Sequence, residues 1–107
     1  GTAAVGNYGT ATADDGGTAT AGDGGPATAG DGGTAAVGYR GTAVAGYRGT
    51  AAVGNYGTAT ADDGGTIIGS YWDGQRSRVV VGYIGEGGIK PNTKYQVIDT
   101  KWQEVPE

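Results

Sequence analysis

Polar and apolar residues alternate in short bursts along the first two-thirds of the chain. Each burst is four residues long, as in Thr18-Ala19-Thr20-Ala21 and Thr34-Ala35-Ala36-Val37, and it returns every eight residues. Octads start at Gly1, Gly9, Gly17, Gly25, Gly33, Gly41, Gly49, Gly57 and Gly65. Slot two is Thr except at Pro26, slot three is Ala until Ile67, and slot five is Ala or Val until Gly69. Slots six to eight of the first eight octads hold Gly, Asp, Asn, Tyr and Arg. A period of two predicts a strand over slots two to five, with slots three and five inward and slots two and four outward. Slots six to eight, with the Gly that follows, predict a turn.

One octad cannot bury its own inner row. Two octads set back to back make a coil of sixteen residues, and stacked coils make a parallel β-solenoid with strands roughly 4.8 Å apart. A longer period fits this: residues 1–16 return unchanged at 49–64, a shift of three coils. Two sheets filled by Ala and Val lie closer than the usual ~10 Å. Glycine allows the left-handed bend that two turns per coil require. The strict register of the repeat argues against disorder, the other reading open to a chain of this composition.

The pattern changes after Gly65, where all the Ile and both Trp are found. Strands are predicted over 66–72, 78–84, 94–98 and 101–105, with turns at Asp73-Gly74, Glu86-Gly87-Gly88 and Pro91-Asn92. The stretch from Asp73 to Arg78 reads as an exposed hairpin tip, and most of the cap aromatics as cap core. The expected architecture is therefore all-β: an octapeptide-repeat β-solenoid over 1–68 and an antiparallel β capping segment over 69–107. A cap is needed because an open end exposes strand edges. At the other end Gly1 already occupies slot one, which reads as a processed or truncated chain or as an end paired with a second copy, so a homodimer through that end is expected.

Composition narrows the chemistry. The 107 residues include 25 Gly and no Leu, Phe, Met, Cys or His. A conventional core, a disulfide frame and a thiolate metal site are excluded for the repeat. No apolar run approaches the ~18 residues of a membrane-spanning helix. Without His or Cys no common nucleophilic triad forms, and Gly85-Glu86-Gly87-Gly88 lacks the Lys-Ser/Thr ending of a P-loop. Carboxylate pairs such as Asp14-Asp15 lie on exposed turns, where nothing raises a pKa for acid–base work. The chain is expected to be non-enzymatic and to need no cofactor. All of its net charge of −4 falls in residues 1–64, which speaks against direct nucleic-acid binding.

Three residue sets are candidates for recognition. The first is acidic: Asp14, Asp15, Asp23, Asp31, Asp62 and Asp63. With two octads per coil, Asp15, Asp31 and Asp63 share one edge and Asp23 lies on the other with Asn7 and Asn55. Turn chemistry alone accounts for Asp and Asn here, because both bond their own backbone and tolerate tight bends. The other readings are an acidic ridge that occupies a partner's groove, and calcium, although calcium-binding β-rolls have period nine. The second set is Tyr39, Arg40, Tyr47 and Arg48, contact residues favoured at interfaces. Its plainer reading is Tyr shielding a thin edge while Arg pairs with a neighbouring Asp. The third set is the outward Thr row, which suits a strand on its own account.

Ala21-Gly22-Asp23-Gly24-Gly25 and Ala45-Gly46-Tyr47-Arg48-Gly49-Thr50 resemble the octapeptide units of bacterial ice-nucleation proteins, Ala-Gly-Tyr-Gly-Ser-Thr-x-Thr. The resemblance covers residues 1–68. It implies paired octads in sixteen-residue coils and an ice-binding face of Thr-x-Thr rows, with ice as an alternative ligand. The matching pairs are Thr10 with Thr12, Thr18 with Thr20, and Thr58 with Thr60. Ala4, Ala36, Val44 and Ala52 depart from the second Thr and Pro26 from the first. An octad array ended by "VGYIGEGGIKPNTKY" is also similar to small proteins of phages and mobile elements. The expected function is thus a rigid, non-enzymatic binding protein, a phage-type inhibitor or accessory factor with a protein partner. The alternatives are ice binding and a structural fragment of a fibre or surface protein.

Overall fold

A computed structural model describes residues 2–98 and 100–105. These form twelve strands and no helix. Eight come from the repeat: β1 (Thr2–Ala4), β2 (Ala11–Ala13), β3 (Thr18–Ala21), β4 (Pro26–Ala29), β5 (Thr34–Val37), β6 (Thr42–Ala45), β7 (Thr50–Ala52) and β8 (Thr58–Thr60). Four follow: β9 (Thr66–Trp72), β10 (Ser77–Tyr83), β11 (Tyr95–Ile98) and β12 (Lys101–Glu104). Odd-numbered repeat strands build one sheet, in the order β1-β3-β5-β7-β9-β10. The even-numbered strands build the other, in the order β12-β11-β8-β6-β4-β2. Repeat strands pair in parallel with a shift of two octads, as in Thr18↔Thr34 and Ala27↔Ala43, so the solenoid of sixteen-residue coils is as the octad pattern predicts.

The inner rows are the expected ones. Ala19, Ala27, Ala35, Ala43, Ala51 and Ala59 in slot three are fully buried, and Ala21, Ala29, Val37, Ala45, Val53 and Ala61 fill slot five. Thr18 and Thr20 face solvent. A buried methyl group contributes about 1 kcal/mol, so no single rung dominates and stability is shared rung by rung.

Ile67 opens the larger core of the cap. It is the largest fully buried side chain among the described residues, and Ile84 and Tyr95 join the same cluster. β9 runs through the expected boundary at 68/69. It pairs in parallel with β7 and antiparallel with β10, so it belongs to both parts. β11 meets β8 antiparallel at Tyr95↔Ala59, which closes the second sheet. Gly69 gives room to Trp102, since a Cβ there would lie 2.7 Å from the indole. The Trp102 Nε1 is buried with no hydrogen-bond partner among the described residues.

Two expectations need correction. The cap strands lie one residue off at several ends, at Ser77–Tyr83, Tyr95–Ile98 and Lys101–Glu104. The cap aromatics divide: Tyr95 is core and Trp102 packs against it, whereas Trp72 and Tyr83 are more than half exposed. A thin Ala-filled stack has no depth to receive two more large rings. The Asp73–Arg78 stretch is the exposed hairpin tip expected. Asp73 Oδ1 accepts the Gln75 and Arg76 N–H groups, and Arg78 Nε reaches Asp73 Oδ2 at 2.7 Å.

Candidate functional site: the two turn edges

Every turn of the solenoid is built alike. The slot-one N–H donates to the slot-six carbonyl three residues earlier, as in Gly33 to Gly30 and Gly41 to Gly38. The slot-eight residue has positive φ at all eight turns: Tyr8, Gly16, Gly24, Gly32, Arg40, Arg48, Tyr56 and Gly64. This is the signature of a type II turn, which asks for Gly at its third position. Four turns comply and four carry Tyr or Arg, with φ between 57° and 63°. For an L-residue with a side chain that conformation costs roughly 1–2 kcal/mol.

Slot seven has a different task. Asn7 Oδ1 accepts the Asp23 N–H at 3.0 Å, and Asp23 Oδ1 accepts the Tyr39 N–H at 3.0 Å. On the opposite edge Asp15 accepts from Asp31 and Asp31 from Tyr47, at 2.9 and 3.0 Å. These four side chains therefore serve the next coil, sixteen residues on, whereas Asp62 Oδ1 accepts the adjacent Asp63 N–H at 2.7 Å, as turn chemistry predicts. The slot-six residue of the next coil must be Gly, because a Cβ on Gly30 would run into Asp15 Oδ1. Gly22, Gly38 and Gly46 stand in the same relation to Asn7, Asp23 and Asp31. Asp occupies slot six only at Asp14 and Asp62. Asp62 lies above Tyr47, and its Oδ1 accepts from Asn92 Nδ2 at 3.2 Å, tying the cap to the last coil.

The edges differ in character. One carries Asp14, Asp15, Asp31, Asp62 and Asp63 with Tyr47 and Arg48; the other carries Tyr8, Asp23, Tyr39, Arg40 and Tyr56. The six candidate carboxylates are thus split five to one, as the octad count places them. The Tyr/Arg set is split as well. Tyr39 and Tyr56 meet edge to face, with ring centroids 5.7 Å apart. Arg40 Cζ lies 5.3 Å from the Tyr39 ring and 5.9 Å from that of Tyr56. On the acidic edge Arg48 Cζ lies 5.2 Å from the Tyr47 ring. The expected pairing of these Arg with a neighbouring Asp does not occur; the ion pairs among the described residues are Arg78–Asp73 and Lys90–Glu104. Oδ1 of Asp15, Asp23 and Asp31 accepts a backbone N–H, and the two guanidinium groups lie against the neighbouring Tyr rings instead.

Sequence reasoning missed the aromatic continuity of the second edge. Tyr8 and Tyr56 join Tyr39 and Arg40 there, and the Tyr8 ring lies over Gly24. Slot eight of alternate octads was the available signal.

The matching Thr-x-Thr pairs are divided between the two sheets. Thr18 and Thr20 lie on β3 of one sheet. Thr12 is at the centre of β2, an edge strand of the other sheet, and Thr10 directly precedes that strand. Thr58 and Thr60 lie on β8 of that second sheet, separated from β2 by β4 and β6. Thr12 is exposed as expected, but its row along the stack is Thr12, Thr28, Val44 and Thr60, so an apolar side chain interrupts it. The physical reason is that successive octads feed opposite sheets, so pairs adjacent in sequence, such as Thr10 with Thr12 and Thr18 with Thr20, end up back to back.

Among the described residues no three His, Cys, Asp or Glu gather as a metal-holding group. No helix of the described residues is long and apolar enough to cross a membrane.

Comparison with protein-family models, with curated proteins and with solved structures returns no match to this chain.

Proposed function

We propose that this chain is a non-enzymatic, rigid binding protein that engages a protein partner through the turn edges of its solenoid. The observation that carries the reading is the placement of Tyr8, Arg40, Arg48 and Tyr56 in a left-handed conformation. Four other turns of the same chain use Gly there without strain. Backbone strain kept where a cheaper residue is at hand points to use. Tyr and Arg are also the side chains that contribute most at protein interfaces. The Asp-rich edge adds a long-range charge that steers a basic partner. A phage-type inhibitor or accessory factor would act in this way, and the relation to phage and mobile-element proteins belongs to this proposal.

The test is a double variant, Tyr8→Gly with Arg40→Gly, used as bait in a cell lysate beside the unaltered chain. Proteins retained by the unaltered chain are expected to be lost, while the melting temperature does not fall. In a second arm, Asp15→Asn with Asp31→Asn removes two charges and keeps both acceptors, as Asn7 already does in the same slot. Capture is expected to weaken most at low salt. Unchanged capture in both arms sinks the proposal.

A further inference from the structure

The octad grammar breaks at one place, and a cleft opens there. Slots seven and eight of the ninth octad are Tyr71 and Trp72. They do not turn. β9 runs straight through both, on to its hairpin with β10. The turn at Asn55-Tyr56 is therefore left uncovered. β11 touches β8 at Tyr95↔Ala59 and leaves the edge open beyond it. Between these parts lies a cleft of about 530 Å³ lined by Asn55, Tyr56, Ser70, Tyr71, Trp72 and Gln96, with the end of β11 as its floor. That volume is in the range of small-ligand sites.

The lining has a consistent chemistry. Trp72 is 61% exposed, and Tyr56, although it meets Tyr39 edge to face, is still 67% exposed, so both keep ring surface open to a ligand. Two primary amides are held in place. Ser70 Oγ donates to Asn55 Oδ1 at 2.8 Å, which leaves the Asn55 NH₂ as the free donor. Gln96 Nε2 donates to Thr58 Oγ1 at 3.0 Å, which leaves Gln96 Oε1 as the free acceptor. No described lining residue carries a charge. The rim holds two strained residues, Tyr56 at φ 63° and the β-branched Thr100 at φ 69°. Aromatic faces and fixed amide donors and acceptors, with no charge among the described lining residues, match a ligand with an apolar ring face and a rim of hydroxyls. We infer that the cleft between the last coil and the cap binds a neutral oligosaccharide, one pyranose ring stacking on Trp72 or Tyr56 while its hydroxyls bond Asn55 and Gln96.

This inference does not depend on a protein partner. The experiment follows the side-chain NH₂ signals of Asn55 and Gln96 by ¹H–¹⁵N NMR on the full chain. The probes are cellohexaose, maltohexaose and the fully N-acetylated chitohexaose, each raised to about 10 mM, where even a weak site fills. At least one is expected to shift both signals in a saturable way. Trp72→Ala is expected to weaken that response tenfold or more, and Trp72→Phe, which keeps a stacking face, less than threefold. Tyr8→Gly, on a distant turn, is expected to leave it unchanged, so that failure of the edge and failure of the cleft are told apart. No saturable shift with any of the three overturns the inference. So does an equal response in Trp72→Ala, or a larger shift with choline chloride, which would make the rings a cation site.

Discussion

Each slot of the octad is decided by one interaction. At Asn7, Asp15, Asp23 and Asp31 slot seven supplies an acceptor to the coil above, so its carbonyl or carboxylate oxygen matters and its charge does not. Asp23→Asn is expected to leave stability unchanged, whereas Asp23→Ala orphans the Tyr39 N–H and costs about 1 kcal/mol. Urea midpoints of the two variants check this. Slot eight sets backbone conformation against side-chain use. Tyr8→Gly relieves a left-handed Tyr and adds unfolded-chain entropy, for a net gain of about 0.5–1 kcal/mol. A melting temperature raised by a few degrees is the expected reading; a fall would show that the ring over Gly24 outweighs the strain.

At the scale of the element, the repeat strands were legible because Thr then Ala returns in slots two and three of the octads, with Pro26 as the one break before Ile67. The turn interactions were not, because the partner of Asp15 is sixteen residues away and is defined only once two coils are stacked. The exposure of Trp72 was hidden for a related reason: an aromatic after Ile-Ile reads as core, and only the straight course of β9 places it outside. The β9–β10 hairpin carries its own electrostatic clasp. The hydrogen bond from Arg78, helped by the Arg76 and Gln75 N–H groups, holds the Asp73 carboxyl below its usual range. The sign follows from linkage. The clasp is fully formed above the ordinary Asp pKa and is lost as pH falls through the lowered one. An NMR titration of the Asp73 carboxyl is expected to show a midpoint below the ordinary Asp value, moving up toward it in Arg78→Gln.

For the whole molecule, the two-octad coil makes edge identity a matter of parity. A copy of residues 17–24 inserted after Gly24 keeps Asn7, Asp15, Asp23 and Asp31 each beneath a slot-six Gly, so the stack and its cap are expected to form with little change in melting temperature. It moves Tyr8 to the edge opposite Arg40 and Tyr56. A copy of residues 17–32 inserted after Gly32 keeps them together. If the edges recognise a partner, the shorter insertion lowers capture more than the longer one, and circular dichroism of both reports the intact fold. The coil-to-coil bonds, strand ladders and slot-seven acceptors alike, all run along the stack, perpendicular to the strands. A load applied along that axis meets them one rung at a time, and the coils peel in sequence at low force. A load applied along the strands shears many rungs at once. The molecule is thus mechanically anisotropic, weak as a tether from end to end and stiff as a plate held by its two edges.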